Sequence, residues 1–166
     1  PLTGEQLAGL KTGDEVLLSG EVYTMRDQAH KRLAGLLKAH KKIPLNLKGA
    51  VIYYCGPTKT RPGRIIGSCG PTTSSRMDAF TPRLIRVGLK GMIGKGRRSK
   101  EVIDSIKRYK AVYFAAIGGA GAYLSKKVKK ARVIAFKDLG PEAVYRLEIE
   151  DFPAVVAIDS KGRSIY

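Results

Sequence analysis

The chain has 166 residues, 43% hydrophobic and 27% charged, so it can bury one core and is neither a disordered segment nor a small disulfide-stapled scaffold. Thirty-one Lys and Arg against fourteen Asp and Glu leave a formal charge of +17, which points to anionic partners: nucleic acid, an acidic protein or an anionic substrate. No apolar run approaches the roughly 20 residues of a membrane span and no basic-then-apolar leader opens the chain, so the expectation is one domain over 1–166, cytoplasmic and without a membrane partner.

In chain order, "EVLLSGEVYTM" (15–25) reads as extended chain interrupted by a glycine. "RDQAHKRLAGLLKAH" (26–40) reads as a helix with Ala29, Leu33, Leu36 and Leu37 on one side, ended by Pro44. "AVIYYCG" (50–56) is a strand, "PTKTRPGR" (57–64) a turn-rich loop, and "IIGSC" (65–69) another short strand. A helix is expected from about Thr72, disturbed at Thr81-Pro82 because a proline disfavours helical geometry in the residue before it. "GLKGMIGKG" (88–96) gives a short strand between glycines, and Ser99 caps a helix to Tyr109 that buries Val102, Ile103, Ile106 and Tyr109. Next come a buried strand (111–117), a glycine turn with a short helix (118–128), and late strands at 131–136, 145–150 and 154–158. The pattern is α/β, with no linker long enough to divide it.

The stretch "IIGSCGPTTSSRMD" (65–78) has the character of an anion cradle. If a helix starts near Thr72, its first N–H groups and the positive end of its dipole favour a carboxylate or phosphate, and Arg76 lies one turn on. The two cysteines, Cys55 and Cys69, are fourteen residues apart with no CxxC or nearby His pair, so they form neither a zinc signature nor a disulfide framework. They read as ordinary buried or loop thiols.

"GEVYTMRDQAHKRL", "YYCGPT", "GSCGPTTSSRMD", "MIGKGRRS" and "IGGAGA", in this order, resemble the beta subunit of the class I iron-sulfur fumarase and L(+)-tartrate dehydratase family, from about Gly20 to Asp159. The resemblance implies a swivelling β/β/α domain, with a mixed sheet and flanking helices, that closes over an active site shared with a larger alpha subunit. It implies a [4Fe-4S] cluster bound by that subunit and not by this chain. Two cysteines are too few for a cluster held by three or four thiolates. The implied reaction is reversible hydration of fumarate to L-malate, or dehydration of L(+)-tartrate, in an alpha2beta2 assembly whose alpha subunit would be acidic.

Residue by residue, the resemblance makes Arg26 and Arg76 carboxylate-binding arginines, Arg26 by a bidentate grip, and Lys95 a substrate-contacting lysine. Thr72 matches the residue proposed in the family as the catalytic base, while its residue type fits a helix cap or a substrate hydrogen bond equally well. One residue fewer separates Arg76 from Lys95 than in some relatives, which bears on where the lysine sits. His30, one turn after Arg26, reads as a structural histidine that could also orient that arginine. "IGGAGA" lacks a P-loop lysine and reads as a closely packed strand-helix turn. A nucleic-acid module is the rival class, but Trp is absent and the basic clusters contain no Tyr or Phe to stack on bases, so no nucleic-acid partner is expected.

Overall fold

The computed structural model describes all 166 residues. Four strands run parallel in chain order: β1 (Glu15–Thr24), β2 (Val51–Tyr53), β3 (Gly91–Gly94) and β4 (Val112–Ala115). After β5 (Val128–Ala135) comes the 15-residue β6 (Val144–Ile158), antiparallel to its neighbours. One edge of β6 pairs along β1; the other pairs with β5 in its first half and with β4 at its end. The sheet therefore closes into a ring, β1-β2-β3-β4-β6-β1, with β5 added outside it.

Helices cover the sheet: α1 (Gly4–Gly9), α2 (Asp27–Lys38), α3 (Thr81–Arg86), α4 (Lys100–Tyr109) and α5 (Gly121–Ser125). Alternation along the parallel strands sends Ile52, Met92 and Tyr113 into a core shared with α2, α3 and α4, and Val51, Tyr53, Ile93, Val112 and Phe114 into a second core with Leu7 of α1 and Leu124 of α5. Strands buried on both faces read as continuous apolar runs, as these do. The architecture is the expected α/β one, a mixed sheet with flanking helices. No helix is long and apolar enough to cross a membrane.

Three expectations need correction. Residues 65–69 form no strand: Thr58 N–H donates to the Ser68 carbonyl and Cys69 N–H to that of Gly121, so this segment pairs with its own loop and with the start of α5 rather than joining the sheet. No helix starts at Thr72. Thr72 N–H donates to the Tyr54 carbonyl (2.7 Å), Thr73 bridges Lys95 in parallel fashion, and only one 3-10 turn (Ser74–Met77) precedes α3. The strands expected at 145–150 and 154–158 are one, because Glu150 and a left-handed Asp151 (φ 49) form a β6 bulge opposite Ser19 of β1, and pairing resumes on both sides of it.

Candidate functional site

Strand register puts the carboxyl ends of β1 to β4 on one rim: Thr24 pairs with Tyr53, Tyr53 with Ile93, and Gly94 with Ala115. Parallel α/β sheets, open or closed into a barrel, carry ligand sites at this edge. Arg26 follows β1, Gly56 follows β2, Lys95 follows β3 and Gly118 follows β4. Thr72 is hydrogen-bonded to the end of β2 and Ser74 N–H to the Lys95 carbonyl (2.9 Å), so the Thr72–Ser74 segment lies against the ends of β2 and β3. The structure thus brings Arg26, Thr72, Arg76 and Lys95 to one rim.

Glycines make room for the cations. A Cβ on Gly56 would lie 2.7 Å from Arg26 Cδ and 2.8 Å from its Nη1, so the arginine crosses that residue's bare backbone. At Gly118 a Cβ would touch Lys95 Cδ at 3.4 Å. Gly121 packs on Gly70, where an added Cβ would stand 2.8 Å from the Gly70 nitrogen, which makes the "IGGAGA" turn a close-packing device as expected.

Arg26 Nε is buried with no hydrogen-bond partner; its nearest carboxylates are Glu142 at 3.9 Å and Asp27 at 4.0 Å. Arg76 is already engaged: its Nε and Nη2 donate to the two Asp27 carboxylate oxygens at 3.0 and 2.7 Å, leaving Nη1 without an acceptor. Asp27, absent from the residues singled out by sequence, thus sits between the two arginines. It lies inside the "RDQAHKR" motif, but its role depends on a contact 49 positions away that spacing does not encode.

Thr72 is half-buried and its hydroxyl makes no hydrogen bond within the chain. The cap reading fails, because the 3-10 turn is capped by Thr73, with no side-chain cap bond. The anion-friendly helix end at this rim is that of α2, whose N-cap is Arg26 itself and likewise has no side-chain cap bond. His30 is fully buried: its Nδ1–H donates to the Arg26 carbonyl (2.8 Å), fixing the backbone that carries the arginine. Burial pushes its imidazole down to about 4, so it is neutral, and Nε2 faces no acceptor or donor.

A second network secures the Thr72–Asp78 segment from below. Arg98, its side chain fully buried, lies between the Tyr54 and Tyr113 rings (5.1 and 5.0 Å) and donates to Asp78 (2.7 Å), Thr81 (2.9 Å) and the Tyr54 hydroxyl (3.2 Å). Asp78 also accepts from Ser99 N–H, and Ser74 Oγ meets the Tyr113 hydroxyl at 2.8 Å. Tyr113 in turn donates to the Gly96 carbonyl, next to Lys95. Sequence reasoning missed this network, although Tyr54, Ser74, Asp78, Arg98 and Ser99 all lie in the quoted motifs, because motif resemblance does not show which of their residues touch.

No group of three His, Cys, Asp or Glu is arranged to hold a metal ion. Cys55 and Cys69 are both buried; a hydrogen bond with Cys69, then burial, holds the Cys55 thiol well above its ordinary range. The chain's donor set does not fit an iron-sulfur cluster.

Residues 1–166 match the family described as Fumarase C-terminus. The chain belongs to that family. A Methanocaldococcus jannaschii protein provisionally named L(+)-tartrate dehydratase subunit beta is 41% identical over 99% of this chain and 88% of its own length. Fumarate hydratase 2 of Leishmania major is 38% identical over 98% of the chain, and the anaerobic class I fumarate hydratase of Escherichia coli 37% over 97%. The chain spans only 29% and 30% of those two longer relatives. The family membership agrees with the resemblance seen in the motifs.

Proposed function

We propose that this chain supplies the carboxylate-binding half of a hydro-lyase site, completed by a cluster-bearing alpha subunit, and that the reaction is reversible hydration of fumarate to L-malate. The observation that carries the reading is the gathering of two arginines, a lysine and a free hydroxyl on one rim. A dicarboxylate needs two cationic grips. The buried, unpaired Arg26 Nε has a hydrogen bond to gain from a carboxylate oxygen, since an unmet buried donor is costly. Arg76, oriented by Asp27, presents Nη1 to the second carboxylate, and Lys95 adds a point charge.

In the dehydrating direction, Thr72 Oγ takes the proton from the carbon next to the hydroxyl-bearing one. The C–H electron pair becomes the new π bond, and the hydroxyl leaves as water after gaining a proton from a general acid, a role this reading leaves to the alpha subunit. A neutral hydroxyl is a weak base, so it must give up its own proton before it can take that of the substrate, and the cations on the same rim favour this alkoxide form. The [4Fe-4S] cluster, which this reading assigns to the acidic alpha subunit of an alpha2beta2 assembly, would supply Lewis acidity at the leaving hydroxyl. Dehydration of L(+)-tartrate is a second reading, favoured by the M. jannaschii relative, 88% of whose length this chain covers. The test is anaerobic reconstitution with a cluster-bearing partner and assay with fumarate, L-malate and L(+)-tartrate. Turnover of fumarate is expected; turnover of tartrate alone selects the second reading, and none with any of them overturns both.

A further inference from the structure

The loop from Thr58 to Ser68 is pinned at its base: Thr58 N–H donates to the Ser68 carbonyl and Ser68 N–H to Thr58 Oγ1, both at 2.9 Å. Gly67 packs so tightly there that a Cβ would stand 2.1 Å from the Thr58 carbonyl oxygen. At the tip, Arg64 N–H donates to the Arg61 carbonyl (3.1 Å) across Pro62 and a left-handed Gly63 (φ 74), a tight turn that brings Arg61 and Arg64 to its two ends. Together with Lys59, and with Lys126 at the end of α5, they line a cavity of about 320 Å³ to which Ser68 and Ser125 add hydroxyls.

No carboxylate lines this cavity, and none of its four cations is in an ion pair. Two other cation-lined surface cavities differ in this respect, one holding Glu21 and Glu148 and the other Asp104. Like charges gathered on a pinned loop repel one another, and an anion removes that repulsion. We propose that the cavity binds a compact polyphosphate anion through its phosphate chain. Four cations exceed what a dicarboxylate neutralises, guanidinium forks match phosphate oxygens, and the volume suits a small ligand. The phosphate chain could be free or part of a nucleotide.

The experiment is calorimetric titration of the 166-residue chain with inorganic triphosphate, then ATP, at about 150 mM salt. The expected result is saturable one-to-one binding that Arg61→Gln/Arg64→Gln weakens about tenfold or more, while Arg83→Gln/Arg86→Gln, which removes the same charge elsewhere, leaves it unchanged. Equal affinity for triphosphate and ATP identifies the phosphate chain as the whole determinant; tighter ATP binding identifies a nucleotide. Equal weakening by both double variants, or no saturable binding, overturns the proposal. So does an oligonucleotide that binds more tightly than either ligand and loses that binding in Arg61→Gln/Arg64→Gln.

Discussion

Asp27 holds Arg76 by two hydrogen bonds and lies 4.0 Å from Arg26 Nε, so the orientation of Arg76 depends on a residue that need not touch substrate. Asp27→Asn keeps the shape and removes the charge that orients Arg76; kcat/KM of the reconstituted enzyme should fall about tenfold, the worth of one charge-assisted bond. Arg26→Lys and Arg76→Lys lose planar donors outright and should each cost about 2 to 4 kcal/mol in kcat/KM with the fold intact. Near wild-type kinetics in both lysine variants would remove these residues from the site. Thr72→Val should lower kcat more than a hundredfold, as loss of a general base does, with KM little changed; a kcat within about tenfold of wild type would leave Thr72 a substrate contact at most. His30 makes a separate prediction about stability. Its folded pKa of about 4 lies below the ordinary 6.5, so the neutral form stabilises the fold above pH 6.5 and that contribution is lost as pH falls from 6.5 to about 4, where the folded state takes up the proton too. The full loss is about 3 kcal/mol. Urea unfolding of wild type and His30→Phe at pH 7 and pH 4 should show a smaller pH effect in the variant; identical pH effects would mean that His30 is not held neutral.

At the scale of elements, glycine placement sets the rim. Gly56→Ala puts a methyl where Arg26 now passes, and the Pro141 carbonyl oxygen, 3.2 Å from that methyl, limits retreat the other way. The expected outcome is a raised KM with an almost unchanged melting temperature, because the displaced group is a side chain at the rim and not the core. An unchanged KM would show that Arg26 does not need that path. Much of this frame was legible in the sequence: α2 and α4 follow from apolar residues at helical spacing, and the Ser99 cap from a serine ahead of Val102, whose N–H it accepts. The segment from Ile65 to Met77 was not. Its backbone bonds run to Thr58, Gly121, Tyr54 and Lys95, partners distant in sequence, and glycine-rich chain has no period to betray such pairings. The union of the last two strands was hidden for a related reason, since Asp151 N–H is satisfied by Ser19 Oγ across the bulge rather than by a turn of its own. The rim cations were found by motif resemblance, whereas Asp27, Gly56 and the Arg98 network became visible only in three dimensions.

The whole molecule carries +17, and a protein with that excess is expected to meet its partner through it. Within the proposed assembly the partner must bring what this chain lacks, a cluster ligand set, and must cover a rim whose arginines need a site shielded from water to grip carboxylates strongly. An acidic partner face suits this chain, since it finds the basic surface at long range and its own charge is neutralised on docking. The association should therefore be steeply salt-dependent. Between about 50 and 300 mM salt the screening length falls from roughly 14 to 6 Å, so long-range steering fades while buried contacts remain. Surface-plasmon measurements across that range should show the association rate falling at least about tenfold and the dissociation rate changing far less. An association rate indifferent to salt would mean that the docking surface is not the basic one, and the excess charge would then need another purpose.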